Sequence, residues 1–318
     1  MIYNSIKLLL FPAIIVVIMA GCNNNAKNDN SADNVQHQES SNILKAPATP
    51  DPSTYLKVAE FVSPQEADSI INLLTTLSDK QVRMKGITPV PQNGDDFRRA
   101  NLDGVYWHEV SVIEGDFRGA SMRSAKAEES LFSKSDFRVA DIRWTLFNHS
   151  VMSDCNFNQA KLFHVHVNYT NLNNCTFRGA NMFGMEGHHA QMKHCDMTNA
   201  LMKDSEFTDT DFTGSLFVHT RLIRAVMTGS NFDYVNCTEA DFSGGNLDNA
   251  TFRHANCKNA NFQGNGMKNT DFSDSDLEGC NFFGARMSNA NFTGARNIPD
   301  NVKKLMVDGK VTANILER

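Results

Sequence analysis

The chain has 318 residues, 41% of them apolar and 21% charged, with a formal net charge of −6. That length allows one large or two modest domains. The acidic balance excludes the basic face that nucleic-acid binders carry, and the apolar content excludes a wholly disordered chain. One count is out of scale: 22 Phe against 5 Tyr and 2 Trp.

The first segment, 1–22, reads as an export address. Lys7 is the one charge before an apolar run from Leu8 to about Ala20. The run is shorter than the ~20 apolar residues that span a bilayer, and Pro12 weakens it as a helix. A short cationic region, an apolar stretch and then small residues form the pattern of a secretory signal. Met19-Ala20-Gly21-Cys22 resembles a bacterial lipobox. The resemblance implies cleavage before Cys22 and a diacylglycerol on its thiol, hence membrane attachment through a lipid anchor. Met19 departs from the usual Leu, and cleavage elsewhere would leave a free secreted protein. Residues 23–52, rich in Asn, Asp, Ser, Gln and Pro, are a flexible polar linker. No Asp follows Cys22 directly. By resemblance to enterobacterial sorting, that implies the outer membrane, facing the periplasm or the cell surface.

Residues 53–94 form an N-terminal capping segment with one helix. Ser63-Pro64-Gln65-Glu66 is a capping-box start with Pro at the first helical position. Ala67, Ile70, Ile71, Leu74 and Leu77 then recur at helical spacing. Lys80 and Arg83 fall where cations suit the helix dipole, and Gly86 and Pro89 end the helix. Too short to stand alone, the segment is expected to pack its apolar stripe on the near end of residues 95–294.

Residues 95–294 obey a period of five. From Phe97 to Phe292 every fifth residue is apolar with few breaks and no insertion, forty sites in all, of which seventeen are Phe. Two residues before each site from Leu102 onward lies a small residue, the exceptions being Met185 and Asn265. In extended backbone, residues two apart face one side. The large and the small residue therefore point inward, and the residue between them, often Asp or Asn, points out. The other two residues turn a corner, and Gly is frequent there, as at Gly104, Gly119, Gly184, Gly214 and Gly264. A helix cannot use this pattern, because five residues advance it by ~500°. A second period of twenty appears in Cys155, Cys175 and Cys195, and in Arg98, Arg118 and Arg138. Four five-residue sides then make one coil. Ten coils at a strand spacing of ~4.8 Å give a rod about 50 Å long, with additive stability and ends that need caps.

The motif stands as Ala100-Asn101-Leu102, Ala180-Asn181-Met182, Ala240-Asp241-Phe242, Ala260-Asn261-Phe262 and Ala290-Asn291-Phe292. It resembles the pentapeptide-repeat proteins. The resemblance implies an all-β solenoid, a right-handed quadrilateral β-helix, and carries little about function. Beyond Phe292 the pattern fails at Asn297. Residues 295–318 are expected to form a small C-terminal cap, with a short helix over 299–306 and a turn at Asp308-Gly309.

Three side-chain groups are candidates for function. The cysteines after Cys22 are all inward and read as small buried hydrophobes, since parallel inward vectors suit a disulfide poorly. His166, Glu186 and His188, with Glu206 one coil on, form the best metal-like constellation; solvated polar surface is the preferred explanation, and no metal is assigned. Arg143, Trp144, Phe163, His164 and Phe183 are predicted to cluster at one outward corner, with Phe163 and Phe183 pointing out. Aromatics beside Arg have the composition of a binding hot spot, although the N-terminal segment folding over them is an alternative. Asp96, Asp116 and Asp136 interleave with the Arg ladder as charge compensation. No nucleophile–base pair, phosphate loop or paired-carboxylate motif is present, so no enzyme activity and no cofactor are expected. The leading expectation is a lipid-anchored envelope protein that docks another protein, without nucleic acid. Two alternatives are a DNA-mimic topoisomerase inhibitor, known among relatives but opposed by the export signal, and an envelope hydrolase or metal-binding protein.

Overall fold

The computed structural model describes residues 90–312. The signal segment with Cys22, the linker 23–52, nearly all of the capping segment 53–94 and residues 313–318 lie outside the described residues.

Each unit is three extended residues followed by a two-residue turn. The middle extended residue makes a parallel bridge to the residue twenty positions on, at every fifth position from Asp96↔Asp116 to Asp276↔Arg296. The chain therefore passes along four sides before meeting itself, and the described coils form a four-sided β-helix. At most corners the amide of the small residue donates to the carbonyl three residues earlier, as Ala100 does to Phe97 at 2.9 Å; at others it donates to a Ser hydroxyl of the next coil. The residue before the small one takes positive φ, from Arg99 at 57° to Gly294 at 72°. Glycine, Asn and Asp accept that conformation readily. Val139, with φ 53°, does not, because its branched Cβ crowds the backbone there.

The interior is layered. Phe97, Phe117, Phe137, Phe157 and Phe177 stack in one column with centroids 4.9, 4.5, 4.9 and 5.0 Å apart. Phe212, Phe232, Phe252, Phe272 and Phe292 stack in another. Coil spacing and ring-stacking distance coincide, so Phe fits a parallel coil better than a branched aliphatic does. This is the physical origin of the Phe excess.

The small position does more than save room. Where it is Ser, the hydroxyl mostly enters the turn of the preceding coil, whereas Ser205 and Ser275 donate to the carbonyl three residues earlier. Ser135 Oγ accepts the Gly115 amide at 3.0 Å and donates to the Val112 carbonyl at 2.9 Å. Ser150 bridges Ser130 and Ala127, and Ser215 bridges Cys195 and Met192, in the same way. Thr145 and Thr170 donate to the equivalent carbonyls.

Both exceptions to the small rule are compensated. Met185, large at a small position, is followed by Gly187, which is minimal at a large position; a Cβ there would lie 2.3 Å from Phe207 Cε1. Asn265 donates from Nδ2 to the Phe242 carbonyl at 2.7 Å, and Gly245 in the coil before leaves it space.

After the last parallel bridge the chain forms helix α1 (Asp300–Lys303), strand β1 (Met306–Val307) and strand β2 (Lys310–Val311). The sequence pattern anticipates the short helix and the turn at Asp308-Gly309 but not the two strands. The β1–β2 hairpin is antiparallel, with Met306↔Val311 and Val307↔Lys310 paired. Asp308 and Gly309 both have positive φ, 48° and 78°, the backbone that tight hairpin turns demand. Phe292 donates to Gly309 O at 2.8 Å and Val311 to Ala290 O at 3.0 Å. The hairpin thereby occupies the edge that the last coil would leave unpaired, and Val302 and Val311 join the core.

Candidate functional site

The corner aromatics come together as expected, but not as an open patch. Trp144 meets Phe163 edge-on at 5.6 Å, and Phe163 stacks on Phe183 at 5.2 Å. His164 packs edge-on against Phe163 at 4.2 Å. The Arg143 guanidinium lies 5.1 Å from the Trp144 ring centre. Phe163 was expected to point out, yet it is only 5% exposed. The reason is geometric: rings in one column sit a coil apart, which is stacking distance, so each covers the next. Gly184 completes the arrangement, since a Cβ there would fall 2.5 Å from His164 Cε1. Trp144, His164 and Phe183 remain partly accessible. Arg143 is held by Asp141 through two hydrogen bonds of 2.7 and 2.6 Å.

Trp144 breaks two local preferences at once. It is a bulky residue at φ 59°, and its indole N–H is buried without an acceptor. An unpaired buried donor costs about 1–3 kcal/mol.

The metal-like trio is divided rather than joined. His166 Nδ1 lies 3.1 Å from Glu186 Oε2, whereas His188 turns to Glu206 at 3.8 Å. The two imidazoles are thus taken up by different carboxylates. Among the described residues the donor atoms that do converge, within 4.8 Å, belong to His108, Glu109 and Glu129, all exposed. A feature that the sequence did not disclose is a column of corner rings: His149, Tyr169 and His189 stack at 5.0 and 4.8 Å. The twenty-residue period, applied to corner positions, is the signal that reveals it.

The acid–base ladder is bidentate and local. Arg98, Arg118 and Arg138 each clasp the Asp two residues earlier through Nε and Nη2, at 2.6 to 2.9 Å. Other carboxylates also bond across coils, as Asp103 does with Arg123. Asp103 is pulled up by burial, but hydrogen bonds from Arg123 and Ser121 outweigh this and hold its carboxyl below the usual range. Asp211 behaves likewise, with Thr213 and Lys193 as donors. The Asn297 amide, above all, lowers Asp276. Burial pushes the thiols of Cys175, Cys195, Cys257 and Cys280 the other way, Cys195 to about 12.

The family profile for pentapeptide repeats matches in eight copies, over residues 140–179, 155–199, 205–236, 230–264 and 267–296. Two trypsin-treated variants of QnrB1, a plasmid-mediated fluoroquinolone resistance protein, have similar solved structures. One is 21% identical with a TM-score of 0.50, covering 56% of this chain and 91% of that one. The other is 22% identical with a TM-score of 0.50, covering 55% and 91%. At that identity the likeness concerns the fold. No curated protein matches the chain.

Proposed function

We propose that this pentapeptide-repeat chain is a non-enzymatic, lipid-anchored protein of the bacterial envelope whose β-helix serves as a protein-binding or scaffold module. Cys22 carries the lipid, and the linker 23–52 lets the stiff coils stand away from the membrane. Trp144 carries the docking role. A Trp at a left-handed corner with an unpaired N–H carries a local cost that Asn or Gly would not, against which stand its ring contacts with Phe163 and Arg143. Such local conflicts gather at functional positions. Arg143, His164 and Phe183 surround it with the residue types that dominate binding energy.

The test separates docking from folding. Trp144→Asn suits the corner backbone and is expected to keep the melting midpoint. Crosslinked pull-down from native membranes then compares it with wild type. A partner captured by wild type and lost in the variant supports the reading; identical profiles from two equally folded proteins refute it.

A second reading is a DNA-mimic inhibitor of a topoisomerase. The likeness to a fluoroquinolone resistance protein and the acidic balance favour it. Its test is supercoiling by a purified topoisomerase in the presence of the folded chain.

A further inference from the structure

Six thiols lie buried among the described residues, and they divide by where their hydrogens point. Cys155, Cys175, Cys195 and Cys280 hold the small inward position. Their sulfurs donate to the carbonyls of Phe132, Met152, Leu172 and Cys257 at 2.9, 2.9, 3.1 and 2.9 Å. Thr145 and Thr170 make the same bond, so these four thiols stand in for hydroxyls. Cys237 and Cys257 differ. They occupy the large position, in the column that earlier holds Phe137, Phe157, Phe177 and Phe217. Among the described residues neither sulfur donates to a carbonyl. They face each other instead, 3.0 Å apart, which is inside the contact distance of two non-bonded sulfurs.

We propose that Cys237 and Cys257 join as a disulfide that staples two consecutive coils. The register suits it. Asn236 and Asn256, the residues just before, are bridged partners, and the Cys237 amide donates to Asn256 O at 2.8 Å. Neighbouring strands lie ~4.8 Å apart, within the ~4.4–6.8 Å usual between the Cα atoms of a disulfide. Parallel side-chain vectors disfavour the bond in general, as the other cysteine column illustrates: there the sulfurs turn to carbonyls. Here they have already converged.

The chemistry is thiol–disulfide exchange with a small disulfide such as glutathione disulfide. The Cys237 thiolate attacks one glutathione sulfur, forming a mixed disulfide and expelling a glutathione thiolate, which takes up the proton that Cys237 lost. The Cys257 thiolate then attacks the Cys237 sulfur and expels the second glutathione, protonated in the same way. Two protein thiols give up two electrons and two protons, and the oxidant leaves as two thiols. Both sulfurs are fully buried in the folded coils, so the exchange belongs to folding, before the core closes.

The full chain, unfolded and reduced in detergent, is refolded with oxidised and reduced glutathione. The folded fraction is then alkylated in denaturant without reduction and mapped by mass. Expected is a linked Cys237–Cys257 peptide pair about 2 Da lighter than its two reduced halves, with Cys155, Cys175, Cys195 and Cys280 alkylated. Cys237→Ala loses the linked pair and leaves Cys257 alkylated. Reductant lowers the melting midpoint of wild type but not of the Cys237→Ala, Cys257→Ala double variant. Separate alkylation of Cys237 and Cys257 in folded wild type overturns the proposal, as does linkage of either to Cys280.

Discussion

Gly187 offers a case in which the repeat pattern and the packing predict opposite signs. Every fifth residue should be large, so a consensus argument holds that filling Gly187 stabilises the coil. The structure says otherwise. A Cβ at 187 lies 2.3 and 2.5 Å from ring carbons of Phe207 and 3.2 Å from Val167 Cγ2. Phe207 is fully buried and is itself packed against Phe212 at 5.5 Å, so the ring cannot swing into solvent. Replacing Gly by Ala gains about 0.4–1 kcal/mol from the unfolded chain where the backbone permits. Overpacking a closed core loses about 1–3 kcal/mol. The second effect wins, and Gly187→Ala is expected to lose on the order of 1–2 kcal/mol, with Gly187→Leu losing more. Urea unfolding followed by circular dichroism measures this as a fall in midpoint at unchanged slope. Phe207→Leu, which removes the clashing ring, should couple favourably with Gly187→Ala by ~0.5–3 kcal/mol in a double-mutant cycle. A Gly187→Ala midpoint equal to or above wild type would refute the reasoning.

Three further outcomes are expected. Val139→Asn should raise stability by about 1 kcal/mol, because it relieves a branched residue from a left-handed corner; thermal melting reads it. The folded carboxyls of Asp103, Asp211 and Asp276 titrate below their ordinary range. Their contribution is therefore complete above the unfolded value near ~3.9 and is lost as pH falls through the folded one. Burial raises the Cys195 thiol to about 12, so stability should also fall as pH rises above ~8.5, where the unfolded thiol ionises. Unfolding midpoints across pH 2–11 should give a plateau with both shoulders, and a profile flat to pH 2 contradicts the acid limb. Cys22→Ser should move the protein from the membrane to the soluble fraction and abolish palmitate labelling, and retained labelling would dispose of the anchor.

The four-sided architecture was legible because it is one-dimensional. A period of five places small and large residues on one side of an extended strand, and a period of twenty shows that four sides close a coil. The bridges from Asp96 to Arg296 follow both periods without a slip. What stayed hidden were consequences of side-chain volume and rotamer. Nothing in the pattern tells that Phe207 fills the space at Gly187, that Ser135 inserts its hydroxyl into the turn of the coil before, or that Phe163 is roofed by its neighbours. The aromatic cluster was legible as a grouping, since columns recur every twenty residues, but its exposure was not. Whether His188 turns to Glu186 or to Glu206 depends on a side-chain torsion that spacing does not fix.

The ladder also bears on the choice between a docked protein and DNA mimicry. A DNA mimic must present carboxylates as unshielded charges, in place of phosphates. In the first coils Asp96, Asp116 and Asp136 are each clasped by an Arg two residues on, and Asp141 by Arg143. Farther along, Asp204, Asp233 and Glu278 are paired across coils with Arg224, Arg253 and Lys258. Charges neutralised at contact distance project little field beyond a Debye length of about 8 Å. The acidic excess in composition is thus not an acidic face at these positions. Pairing of these carboxylates weighs against DNA mimicry along this part of the ladder, and the aromatics at Trp144, with exposed rings such as Tyr169 and Tyr234, are the groups on which the proposed docking of a protein would draw.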